Sequence, residues 1–187
     1  YGDNRFHIPF IAWYQVMNAS LALTTMEVLK EQIPVTMDQL QNGIADTRWQ
    51  GRMETILPGV IVDGAHNEDG VRRFVETAER FQEEYPLTLL FSAVSDKDYQ
   101  DMIHTICSRI RFRKVVTTEV GGYREVPSAQ LAEIFCKEGC EDVENSDDIA
   151  QAFQMARAAK GEDGMLFCVG SLYLVGEIKA ILLKEKS

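Results

Sequence analysis

The chain has 187 residues, 45% of them apolar, and carries a formal net charge of −10 from 29 acidic and 19 basic side chains. That length suits one full domain plus a partial element, with enough apolar residues for a real core. The acidic balance argues against a phosphate-tracking nucleic-acid surface, which needs clustered Lys and Arg. No apolar run reaches the ~18 residues of a membrane span and no secretory leader opens the sequence, so the expectation is a cytoplasmic protein with no membrane or nucleic-acid partner.

In chain order, residues 9–31 read as a helix. Pro9 suits a first-turn position, and Phe10, Trp13, Met17, Leu21 and Val28 follow helical spacing. Ile33-Pro34-Val35 ends that pattern, because the residue before a proline leaves the α region. Residues 37–50 suggest a short helix and a connector. From there strands and helices alternate: a strand at Val60-Ile61-Val62, a helix over 67–84, a strand from Leu87 to Val94, and a helix over 98–110. Then come a β-branched strand from Lys114 to Val120, helices over 127–137 and near 146–159, a strand from Met165 to Val169, and a closing helix from Ser171 to Lys184.

Strands that are apolar on both faces and alternate with helices imply a doubly wound α/β fold, a mostly parallel sheet with helices on both faces. The organisation read from this is a leading helical segment over 1–33, a linker over 34–48 and an α/β domain over 49–187. Ligands of such sheets sit beyond the carboxyl ends of the strands. Attention therefore falls on the junctions 63–67, 94–98 and 169–171.

The first junction is Asp63-Gly64-Ala65-His66-Asn67. Its carboxylate can accept hydrogen bonds from two ribose hydroxyls, and its imidazole can stack on or hydrogen-bond a purine or sugar. Equally, Asn67 can simply cap a helix and Gly64 make the turn; metal binding by Asp63 and His66 is a third option. At the second junction Ser95 or Asp96 can cap the next helix, and Lys97 can meet an anion or merely be solvated. Gly170-Ser171 reads as a tight structural turn. Arg52, at the start of a strand, reads on its own as a surface ion-pair partner.

No glycine-rich dinucleotide fingerprint, P-loop or nucleophile elbow occurs in the 187 residues. Cys136 and Cys140 would share a helix face if the helix reaches that far. A zinc site needs two further ligands that the sequence does not place nearby, so reduced thiols and no metal site are expected.

Four segments in order resemble one family. Trp49-Gln50-Gly51-Arg52-Met53-Glu54 is similar to the W-x-G-R-x-E segment that opens the carboxyl-terminal domain of folylpolyglutamate synthases and dihydrofolate synthases, in the Mur ligase superfamily. Asp63 to Asn67 matches their D-G-A-H-N signature, Asp96-Lys97-Asp98 their D-K-D turn, and Gly170 to Glu177 their G-S-L-Y-L-V-G-E helix. Gln15-x-x-Asn18-Ala19 resembles the H-Q-x-x-N-A helix ending their central ATPase domain, with Tyr14 where the family has His.

The resemblance implies an ATP-dependent amide ligase. ATP phosphorylates a folate or dihydropteroate carboxylate, L-glutamate attacks the acyl phosphate, and phosphate leaves. It implies Arg52 near ATP phosphates, Asp63 near ribose, His66 near the nucleotide or amino acid and Asn18 near adenine, with Lys97 and Ser95 as further candidates and no confident catalytic residue. It makes residues 1–33 a remnant of the central domain. The P-loop, the Mg2+ ligands and a carboxylated lysine belong to upstream segments, so ATP and Mg2+ serve the full-length parent and the chain alone is expected to be inactive. Its helix over 9–31, having lost packing partners, is expected to self-associate. Two alternatives stay open: a Mur-type peptidoglycan amino-acid ligase domain, and a non-catalytic ligand-binding module.

Overall fold

The computed structural model describes residues 2–122 and 124–185. The chain divides into two compact units, 1–50 and 51–187. The first contains α1 (Tyr14–Val28) and α2 (Met37–Ala45). Helix α1 starts five residues later than the spacing at Pro9 predicts; no side chain caps it, and residues 4–10 form no regular element. Helix α2 lies within the stretch read as a linker. A reciprocal capping box starts it: Thr36 Oγ1 accepts from the Gln39 amide, and Gln39 Oε1 accepts from the Thr36 amide at 2.8 Å.

The second unit contains β1 (Glu54–Leu57), β2 (Val60–Asp63), α3 (Glu68–Ala78), β3 (Leu87–Phe91), α4 (Tyr99–Arg109) and β4 (Lys114–Thr117). It continues with α5 (Ser128–Lys137), β5 (Val143–Asn145), α6 (Ile149–Lys160), β6 (Met165–Val169) and α7 (Leu172–Glu185). Helix α3 runs on into a 3₁₀ turn, Glu79–Glu83. The strands form one sheet in the order β1-β2-β6-β3-β4-β5. Only β1 is antiparallel, as the first arm of a hairpin with β2; the other pairings are parallel.

Two strands lie outside the sequence reading. β1 is a separate strand, and β5 is an edge strand with a single apolar residue, Val143, too short to register as an apolar run. Helix starts follow short polar caps: Asn67 Oδ1 accepts from the Gly70 amide and Asp148 Oδ1 from the Gln151 amide. The cap of α4 is Asp98, not Ser95 or Asp96, because those two residues are taken up by a turn. Helix α5 ends at Lys137, so Cys140 lies in the loop beyond it rather than on a shared helix face with Cys136.

Right-handed crossovers from β2 to β3, β3 to β4 and β4 to β5 put α3, α4 and α5 on one face of the sheet. The return from β5 to β6 puts α6 and α7 on the other. The contacts agree: α3 packs on α4 and α4 on α5, whereas α6 packs on α7. Strand residues alternate between the two layers as the pleat requires. Val62, Leu90, Val116, Leu166 and Cys168 meet Phe153, Ala156, Leu174 and Ile178 on the α6–α7 side. On the opposite side Phe74 sits edge-on to Phe167 with ring centres 5.5 Å apart, and Phe91 edge-on to Phe135 at 5.3 Å. Each fully buried side chain of this kind contributes about 1.5–3 kcal/mol, so the strand ends between these layers are rigidly placed.

Candidate functional site

Strand β6 is followed by a helix on one face, while its neighbours β2 and β3 are followed by helices on the other. The chain therefore parts beyond the carboxyl ends of these three strands, where an open α/β sheet makes its crevice. All three junctions singled out from the sequence stand there: Asp63 ends β2, residues 94–98 lie in the connection from β3 to α4, β3 ending at Phe91 rather than Val94, and Gly170-Ser171 follow β6.

Asp63 does not stand out into the crevice. It is buried at 2% exposure, and each carboxylate oxygen accepts a backbone amide: Oδ2 from Met53 and Oδ1 from Ala65, both at 2.8 Å. Burial raises its pKa above the ordinary 3.8, against the opposing pull of those two amides and, more weakly, of the nearby Arg52 charge and His66 ring. The Met53 bond explains the geometry of the preceding loop. Gly51 and Met53 both have positive φ, 68° and 45°. Such a conformation costs a non-glycine residue about 1–3 kcal/mol unless its surroundings fix it. Three further bonds help fix it. The Gly64 amide donates to the Gly51 carbonyl at 2.7 Å, the Gly51 amide donates to Glu54 Oε2 at 2.7 Å, and Lys179 on α7 donates to Glu54 Oε1 at 2.8 Å.

Between those two left-handed residues lies Arg52, half-buried. Among the described residues it forms no ion pair or hydrogen bond, though its charge acts on Asp63. A pinned loop thus presents a guanidinium with unengaged donors, suited to phosphate or carboxylate. His66 is half-buried, with Nδ1 2.8 Å from the Gly64 carbonyl oxygen. Since that oxygen only accepts, Nδ1 carries the proton, and in the neutral ring Nε2 is the acceptor. Asn67 does what the capping reading expected. Among the described residues no three His, Cys, Asp or Glu side chains group to hold an ion.

The close approach of the three junctions is set by glycines. A Cβ on Gly64 would fall 2.2 Å from Leu172 Cδ2, and one on Gly170 only 2.0 Å from the Ser92 carbonyl oxygen. Ser171, buried, accepts the Tyr173 amide at 3.1 Å and opens α7.

Lys97 is half-buried and Ser95 exposed in the β3–α4 turn. The Ser95 amide donates to the Arg124 carbonyl at 2.7 Å. Arg124 Nη1 in turn donates to Asp96 at 3.0 Å and Nη2 to the Tyr173 hydroxyl at 3.3 Å. Arg124 and Tyr173 therefore tie the turn to the start of α7, a link the sequence reading missed because no local motif surrounds Arg124. Asn18 lies in the other compact unit, exposed on α1, where its Nδ2 donates to Gln15 Oε1 at 2.8 Å.

Residues 51–172 match the family described as Mur ligase, glutamate ligase domain. The chain is 31% identical over 177 residues to the dihydrofolate synthase/folylpolyglutamate synthase of Bacillus subtilis, covering 90% of this chain and 39% of that protein. It is 29% identical over 188 residues to the folylpolyglutamate synthase of Lacticaseibacillus casei, covering 96% of this chain and 41% of that one. It thus spans about two fifths of the length of these relatives. Among solved structures, the Mycobacterium tuberculosis folylpolyglutamate synthase complexed with ADP and AMPPCP superposes with a TM-score of 0.81 at 24% identity, covering 94% of this chain and 41% of that one. That likeness establishes a common fold.

Proposed function

Because the chain belongs to the family of the Mur ligase glutamate ligase domain, we propose that it is the carboxyl-terminal part of an ATP-dependent ligase that joins L-glutamate to a folate or dihydropteroate. The observation that carries this reading is the pinned Gly51-Arg52-Met53 loop over the Asp63–His66 turn, at the switch point of the sheet. In this reading residues 1–33 are the end of the central ATPase domain, and the parent acts in the cytoplasm.

The chemistry follows from which groups are engaged. Phosphoryl transfer to a carboxylate gathers negative charge on the transferring group, and fixed cationic donors stabilise it. Arg52, held in place with its donors unused, meets the ATP phosphates. His66 Nε2 accepts from the nucleotide or from the glutamate amine. Asp63 keeps one lone pair on each oxygen for a ribose hydroxyl, but its first task is to hold the Arg52 loop. Lys97 and Ser95 stand at the rim as further ligand contacts, and Asn18 meets adenine. When bound with ATP, Mg2+ screens the phosphate charge. Its ligands are proposed to come from the upstream segments of the parent, as the family resemblance implies.

The test compares the chain with its full-length parent, each given ATP, Mg2+, L-glutamate and dihydropteroate or folate, with ADP release and glutamylated product measured. The parent should make product and the chain alone should not. In the parent, Arg52→Ala should lower kcat/KM about ten- to a hundredfold, the loss of a hydrogen bond to a charged group. A parent that glutamylates no folate overturns the reading. Turnover by the chain alone near ~1 per second, an ordinary enzyme rate, overturns the assignment of phosphate chemistry to the upstream segments.

A further inference from the structure

At the other end of the sheet, away from the crevice, two thiols meet. Cys107 lies in the last turn of α4 and Cys140 in the loop between α5 and β5; 33 residues apart in sequence, their sulfurs are 3.6 Å apart. Both are free thiols. They share the wall of an open pocket of about 410 Å3 with Arg111, Arg113, Glu138 and Asp142.

We propose that Cys140 and Cys107 form a peroxide-modified dithiol, in which Cys140 reacts and Cys107 closes the disulfide. This inference is independent of the ligase reading, because the pair lies at the amino ends of the strands.

Three observations assign the two roles. Cys140 is partly exposed at the pocket, whereas Cys107 is buried. Next, Cys140 sits where a thiolate is favoured: its hydrogen bond with the Cys107 sulfur and the nearby Arg111 guanidinium together lower its pKa against burial and the Glu138 charge. The same contact pushes the Cys107 thiol up, with burial adding to the effect. The thiolate is the nucleophile that attacks peroxide, so Cys140 is the first to react. Finally, the sulfurs already stand 3.6 Å apart and must close to about 2.05 Å to bond, and Gly139, adjacent to Cys140, has nothing within 4 Å of where a Cβ would stand.

The steps balance. The Cys140 thiolate attacks one oxygen of hydrogen peroxide; the O–O bond breaks, a sulfenic acid forms and hydroxide leaves, taking a proton to become water. Cys107 sulfur then attacks the Cys140 sulfur. The S–O bond breaks, the S–S bond forms, and the Cys107 proton leaves with the oxygen as a second water. Peroxide is reduced by two electrons and the two thiols are oxidised by two. The product joins α4 to the α5–β5 loop and leaves the crevice untouched.

The reduced 187-residue chain, freed of reductant, is exposed to a few equivalents of hydrogen peroxide, alkylated, digested and mapped by mass spectrometry. The expected product is a Cys107–Cys140 linked peptide that dithiothreitol reverses, with Cys168 still alkylatable once the protein is unfolded. In Cys107→Ser the reaction should stop at a Cys140 sulfenic acid trapped by dimedone. In Cys140→Ser, a change at a partly exposed position that keeps the protein foldable, Cys107 should resist the same dose. The proposal is overturned if exposed Cys136 is oxidised while Cys107 and Cys140 stay unlinked in the wild type, or if Cys140→Ser leaves the oxidation of Cys107 as fast as before.

Discussion

Removing the Asp63 carboxylate tests whether it is a structural pin before it is a ligand contact. Asp63→Ala strands two buried amides, those of Met53 and Ala65. A buried donor without an acceptor costs about 1–3 kcal/mol, so the gross loss is about 2–6 kcal/mol. Two effects reduce it. The buried carboxylate is itself unfavourably desolvated, as its raised pKa reports, and Met53, once released, can leave its positive-φ conformation and recover part of a ~1–3 kcal/mol strain. A net loss of about 2–3 kcal/mol is expected, which for a chain of this size lowers Tm by roughly 4–12 °C. Asp63→Asn keeps the shape and one acceptor, and should lose about half as much. His66→Ala, at a half-buried ring bonded to one carbonyl, should cost under about 1 kcal/mol. The pH dependence has a definite sign. Because the native pKa lies above 3.8, the folded state holds the Asp63 proton over a window in which the unfolded chain has lost it. This contribution to stability is complete below that window and is lost as pH rises through the native pKa. The advantage of wild type over Asp63→Asn should therefore narrow with rising pH across the window. Thermal unfolding of the three variants between acid and neutral pH measures all of this. An Asp63→Ala Tm within about 2 °C of wild type, less than 1 kcal/mol, would refute the pin and return Asp63 to a purely ligand-facing role.

Glycine substitutions give a paired test of the strand-end packing. Gly170→Ala places a Cβ 2.0 Å from the Ser92 carbonyl oxygen at φ +110° and should cost well over about 3 kcal/mol or abolish folding, whereas Gly176→Ala, on an open face of α7, should stabilise by about 0.5–1 kcal/mol; equal melting temperatures would contradict the packing described. The stripe on α1 is also testable: Trp13, Met17, Leu21 and Val28 are 66–76% exposed, an apolar surface of the kind that marks an association site. Light scattering should show a dimer for the chain and a monomer for a version beginning at Pro34; a monomeric chain refutes the pairing, and a dimer that survives truncation places it elsewhere.

What could be read from the sequence was what local chemistry encodes. Apolar strands such as Leu87–Phe91 announced a buried parallel sheet, and Asp63-Gly64-Ala65-His66-Asn67 stood out as a polar, glycine-bearing turn at a strand's carboxyl end, where both a ligand site and a plain helix cap were open readings. β5 escaped notice because an edge strand needs backbone pairing more than apolar side chains. The true start of α1 and the cap at Asp98 were missed because several residues in each stretch were chemically eligible. Hardest to read were contacts that join distant segments through groups every residue has. The amide of Met53 that binds Asp63, the carbonyl of Gly51 that holds Gly64 and the Arg124 link to Tyr173 leave no compositional trace.

Those unreadable contacts change the meaning of the readable ones. A D-G-A-H-N turn considered alone offers its aspartate and histidine to a ligand as equals. In the folded chain Asp63 is buried with both oxygens engaged, His66 keeps one ring nitrogen for an incoming donor, and Arg52, eleven residues upstream of Asp63, carries a charge that forms no ion pair among the described residues. The buried carboxylate holds a strained loop, and the loop holds the cation. Substitutions at Asp63 and Arg52 should therefore be non-additive in the parent enzyme. Once Asp63→Ala has released the loop, removing Arg52 has less left to cost, and the double variant should lose less in kcat/KM than the product of the two single losses. Independent roles, with Asp63 only on ribose and Arg52 only on phosphate, would make the losses multiply.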